Sequence, residues 1–89
     1  MSAKYIQNKT VIQSKIGDEV VMLDMDSGFY FGLNSVASII WMKLESAKSF
    51  EEVVNELLEE FSIDRQTCVN DTRVFWDQLL EKNIIKQVP

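Results

Sequence analysis

The sequence predicts an α+β fold in which a three-stranded antiparallel sheet is followed by three helices. Three observations carry this. The glycines Gly17, Gly28 and Gly32 all lie before Leu33, the segments between them are rich in β-branched and aromatic residues, and from Asn34 onward apolar residues recur at helical spacing.

Thr10–Ile16, T-V-I-Q-S-K-I, is the first strand, because β-branched side chains suit a pleated surface, and Gly17-Asp18 follows as a turn. Val20–Met25 is the second strand. Asp26-Ser27-Gly28 is a second tight turn, with Gly28 free to adopt positive φ, and Phe29–Leu33 is an aromatic third strand. Two short turns make the three strands a meander. Asn34 or Ser35 then caps a helix running to about Leu44, with Val36, Ile39 and Ile40 at helical spacing and Trp41 alongside. Ser49 with Glu52 forms a capping box, and Phe50, Val53, Val54, Leu57, Leu58 and Phe61 mark one face of the second helix. Asp64 caps the third, whose inward candidates are Cys68, Val69, Thr72, Phe75, Trp76, Leu79 and Leu80, and Asn83 is its expected left-handed cap. These are also the parts of a winged helix-turn-helix, so architecture alone does not choose a function.

At 89 residues, residues 1–89 read as a single domain. A net charge of −5 opposes nucleic-acid binding, which needs Lys and Arg gathered on one face. The third helix sets Asp64, Asp71, Asp77 and Glu81 against Arg65, Arg73 and Lys82, a poor recognition helix. The chain has no His and one cysteine, Cys68, which removes the usual metal, triad and general-base arrangements. Cys68 is expected to be a buried apolar thiol. Glu51-Glu52 and Glu59-Glu60 read as solvated helix surface, and Asp24/Asp26 as a hairpin turn lacking the distant Glu of a calcium loop. The expectation is a non-enzyme without metal or cofactor. No apolar run reaches signal-peptide or membrane-span length, which places the protein in the cytoplasm with no membrane partner.

The third strand asks for a role. Phe29, Tyr30 and Phe31 in a row put aromatics on both faces of a sheet that can bury only one. If the strand is also an edge, its free N–H and C=O groups can accept an extended peptide as a further strand. The midsection Thr72–Asp77 holds more bulk than one inward stripe can take, leaving part of Arg73, Trp76 or Leu80 for the wall of a groove. Two alternatives stay open: that the third helix itself covers the strand, and that Trp76 is a core aromatic.

The segment Gly17–Asp24, the run Phe29–Asn34, Ile40-Trp41, and Asp71, Phe75, Leu79 with Asn83-Ile84-Ile85 together resemble the PqqD-like proteins, the leader-recognition elements of ribosomally made, post-translationally modified peptides. The resemblance spans Val11 to Gln87, is most specific at Tyr30–Asn34, and is strongest to the stand-alone leader-binding proteins of lasso-peptide pathways. Asn83 stands where the family often has Gly, and Thr72 where it more often has Val or Leu. The resemblance implies a winged-helix-like fold whose third strand pairs antiparallel with a leader peptide lying against the third helix. Carried over, the peptide-binding residues are Phe29, Tyr30, Phe31, Gly32 and Leu33 on the strand and Val69, Arg73, Trp76 and Leu80 on the helix. The implied partners are a precursor leader with a Tyr, Pro and Leu anchor pattern, a leader peptidase that receives it, and the macrolactam-forming lasso cyclase. A homodimer through strand edges is a further expectation from the open edge. The competing reading from the order of elements is a winged-helix DNA-binding regulator.

Overall fold

The meander forms where turn chemistry and β-branched runs predict it. In a computed structural model, which describes residues 3–17 and 19–89, β2 (Val11–Ile16), β3 (Glu19–Asp24) and β4 (Tyr30–Leu33) make one antiparallel sheet in the order β2-β3-β4. Ile16 pairs with Glu19 across a two-residue turn; Gly17 there has φ 63°, and Asp18, the other expected turn residue, lies outside the described residues. The second hairpin is organised by Asp24. Its carboxylate accepts from the Thr10 and Ser27 hydroxyls, each at 2.9 Å, and from the Asp26 N–H at 3.3 Å. Gly28 at φ 74° turns its N–H back to the Asp24 carbonyl at 2.8 Å.

The helices follow as α1 (Ser35–Lys43), α2 (Phe50–Glu60) and α3 (Arg65–Glu81). Each has a polar N-cap whose side chain accepts a first-turn N–H: Asn34 from Ala37, Ser49 from Glu52, and Asp64 from Thr67. The Ser49–Glu52 capping box is complete, because Glu52 also accepts from the Ser49 N–H at 2.8 Å. Asn83 takes φ 58° at the end of α3. The architecture is thus α+β and winged-helix-like.

One part of the fold goes beyond the predicted three strands. Lys4–Gln7 is β1, Lys48–Ser49 is β5 and Ile85–Gln87 is β6, and they form a second antiparallel sheet in the order β5-β1-β6. Ile6 pairs with Lys86, and Lys4 with Ser49, so β1 lies between the C-terminal strand and the short strand that leads into α2. Strands of two to four residues carry no readable alternation, and their partners lie far apart in sequence.

A single cluster of buried side chains joins the layers. Met22, Trp41, Leu44, Val53, Val54, Leu57, Trp76, Leu79 and Ile84 are its most buried members. Ser38 closes the open end of the β3–β4 ladder: its hydroxyl accepts from the Val20 N–H and donates to the Leu33 carbonyl, satisfying two backbone groups at once. Among the described residues no helix is long and apolar enough to cross a membrane.

Candidate functional site

Alternation decides which backbone groups of β4 are free. Asp24 donates its N–H to the Phe29 carbonyl at 2.8 Å, and the Leu33 carbonyl points to Ser38 and β3. Ladder groups alternate sides along a strand, so Phe29, Phe31 and Leu33 direct theirs toward β3. Tyr30 and Gly32 present their N–H and C=O groups on the opposite margin. Among the described residues β4 has no strand neighbour there. The side chains alternate as well. Phe31 and Leu33 pack toward the core, whereas Tyr30 is 70% exposed on the outer face, in register with the exposed Leu23 and Ile12.

The margin of β4 runs beside α3. Lys82 holds its ammonium 4.6 Å from the centre of the Phe29 ring, and Asn34, at the other end of the strand, lines one cleft with Asp71, Phe75 and Gln78. Helix and strand are therefore antiparallel. Five strand steps from Phe29 to Asn34 span about 17 Å, and eleven helical steps from Asp71 to Lys82 about 16 Å, so the two walls match in length. The cleft has a volume of about 590 Å3. Ile40, Leu57, Cys68 and Thr72 form its floor, Val36, Ala37 and Phe75 its sides, and Phe61, Ile63 and Val74 its rim. Val74 is 61% exposed, and Val36, Phe61 and Ile63 are exposed with it, an apolar mouth on an otherwise acidic chain.

The strand half of the expected peptide-binding set, Phe29, Tyr30, Phe31, Gly32 and Leu33, sits at this open edge. The helix half does not. Trp76 is 1% exposed and stacks edge-on between Tyr5 of β1 and Phe50 of α2, with centroids 5.6 and 5.4 Å away. Arg73 lays its guanidinium 3.9 Å over the Phe50 ring and reaches Asp77 at 3.8 Å, and Val69 and Leu80 are half-buried against the core. Val69, Arg73, Trp76 and Leu80 thus form the flank of α3 that meets β1 and α2. The cleft flank is instead Asp71, Val74, Phe75 and Gln78, and beyond the helix end Lys82 lies over Phe29. Tyr5 explains the difference: part of the bulk in Thr72–Asp77, the Trp76 ring, is covered by a strand that is not among the three predicted. The available signal was that Asp71 and Phe75, rather than Arg73 or Trp76, are among the residues that carry the family resemblance.

Electrostatics tie the edge to its turn. Hydrogen bonds from Ser27, then Thr10 and the backbone, hold the Asp24 carboxyl below its usual range, outweighing its desolvation. On the far side of the molecule Lys48 and then Lys43 depress Glu56 in the same way.

Comparison with known proteins comes to the same fold. The family model for coenzyme PQQ synthesis protein D (PqqD) matches residues 19–85. The solved structure of TbiB1 in complex with the TbiA(beta) leader peptide superposes with a TM-score of 0.83 at 38% identity, covering 94% of this chain and 98% of that one. A lasso peptide synthetase B1 complexed with the leader peptide gives a TM-score of 0.75 at 24% identity, over 96% of this chain and 98% of that one, a likeness of fold. No curated protein matches the chain significantly.

Proposed function

This chain belongs to the PqqD family, and from that premise we propose that residues 1–89 form one leader-peptide-binding domain that serves lasso-peptide biosynthesis without making or breaking a bond itself. The observation that carries the reading is the unpaired margin of β4, which leads at Asn34 into an apolar cleft walled by α1, α2 and α3. The leader adds as an antiparallel strand, the arrangement of every other pairing in the sheet. Tyr30 and Gly32 supply the backbone pairing, Phe29, Phe31 and Leu33 shape the strand, and Val74, Phe75 and Gln78 receive alternate leader side chains.

Magnitudes show why both walls are needed. Tyr30 and Gly32 offer four outward backbone groups, and four hydrogen bonds contribute about 2–6 kcal/mol net. Micromolar-to-nanomolar binding requires about 8–12 kcal/mol, after the cost of ordering a flexible leader. Apolar burial in the cleft must therefore supply the larger share. The leader held in this way is delivered to a leader peptidase, and then to the cyclase, at raised effective concentration. The family membership and the 38% identity to a leader-bound relative support this reading; nothing in the geometry favours DNA, since the cleft flank of α3 carries one carboxylate for its one ammonium.

The experiment is a titration of fluorescein-labelled TbiA(beta) leader peptide with the folded protein, followed by anisotropy. Saturable binding in the micromolar-to-nanomolar range is expected; a flat signal at high micromolar protein overturns the reading.

A further inference from the structure

Resting on the leader-binding reading above, we propose that the cleft reads the charges flanking its guest, and through them the guest's direction: Asp71 selects a basic residue at the N-terminal end of the docked segment and Lys82 an acidic residue at its C-terminal end. The two groups stand beside opposite ends of β4. Lys82 is fixed over Phe29, where β4 begins, and Asp71 lines the cleft with Asn34, where β4 finishes. A guest antiparallel to β4 enters at Asp71 and leaves at Lys82. The α3 residues after Asp71 that line the cleft, Thr72, Val74, Phe75 and Gln78, are all apolar or neutral.

The neighbouring charges leave these signs in place. The N-terminus of α1 lies at the Asp71 end and brings about half a positive charge, which a full carboxylate outweighs. The C-terminus of α3 brings about half a negative charge to the other end, which the Lys82 ammonium outweighs. Lys9 adds positive charge in the loop that is tied to the same helix end by the Asn8 amide donating to the Asn83 carbonyl at 2.9 Å. Glu81 points about 100° round the helix from Lys82. An apolar trough alone binds a peptide in either direction nearly as well, and unlike charges at its ends make the reverse orientation repulsive at both.

The test uses three labelled peptides: the TbiA(beta) leader and two derivatives that differ only in flanking charge, one with Lys before and Glu after the docked segment, the other with the two exchanged. The first derivative is expected to bind about tenfold more tightly than the second at low salt, the gap closing as ionic strength rises. In the Asp71→Lys/Lys82→Glu double variant, both positions being exposed, the order of the two derivatives should invert. If the derivatives bind the unaltered protein within about twofold of each other while the parent leader binds, the charge reading is wrong and leader binding stands. A preference that survives unchanged in the double variant removes Asp71 and Lys82 from the role. Failure of all three peptides to bind the folded protein sinks leader binding, and this inference with it.

Discussion

The two flanks of α3 have the same rhythm and opposite fates. Val69, Arg73, Trp76 and Leu80 are spaced by four, three and four residues; so are Asp71, Phe75, Gln78 and Lys82, displaced by two positions and hence about 200° round the helix. In the first set Trp76 and Arg73 are held by Tyr5 and Phe50, and Val69 and Leu80 are half-buried against the core. In the second, Asp71, Phe75 and Gln78 line the cleft and Lys82 lies over Phe29 at the start of β4, the strand with the unpaired margin. Periodicity identifies a helix's stripes but not what covers them, and covering decides whether a bulky residue stabilises the fold or waits for a guest.

Substitution of one flank at a time should separate these roles. The largest effect is expected from Trp76→Ala on the packed flank: emptying that volume should cost about 3–5 kcal/mol of stability, read by urea unfolding, while the molecules that remain folded keep their leader affinity. Lost affinity with intact stability would return Trp76 to the binding surface. Gly32→Pro comes next, since it removes an outward N–H from an edge strand that tolerates proline. We expect leader binding to weaken more than tenfold, against a stability change near 1 kcal/mol. Comparable losses in both would mean that the margin is not the docking edge. Val74→Asp on the cleft rim should weaken binding about tenfold, or about 1.4 kcal/mol, with stability altered by no more than about 0.5 kcal/mol. The smallest effect concerns the turn that holds β4. Because Asp24 has a depressed pKa in the fold, its contribution is complete above the ordinary value of 3.8 and is lost as pH falls through the lower folded value. The stability difference between wild type and Asp24→Asn should therefore be constant at neutral pH and shrink below about pH 4; a difference that grows with acidity would contradict the hydrogen-bonding account.

Local chemistry made much of the fold legible. The Asp26-Ser27-Gly28 turn, the three caps at Asn34, Ser49 and Asp64, and Asn83 in the left-handed region each depend on a few adjacent residues, and each is where local rules place it. The strand half of the candidate site was legible for the same reason, because three consecutive aromatics cannot all be buried by one face of a small sheet. The β5-β1-β6 sheet was not: Lys4–Gln7 has no strong alternation, and its partners lie more than forty and about eighty residues away. Missing β1 meant missing Tyr5, and without Tyr5 nothing in the sequence showed that Trp76 packs against an N-terminal strand.

By itself, then, the order of residues determined which segments are strands and helices in the meander and bundle, where most of them start, and that Phe29–Leu33 would lie at a surface needing cover. Those outcomes follow from interactions within one turn or one hairpin. Which face of α3 meets that surface was decided only when β1 closed against β5 and β6 and set Tyr5 on Trp76. A contact between residues seventy apart leaves no local trace in either segment, since its energy exists only once the rest of the chain has brought the two together.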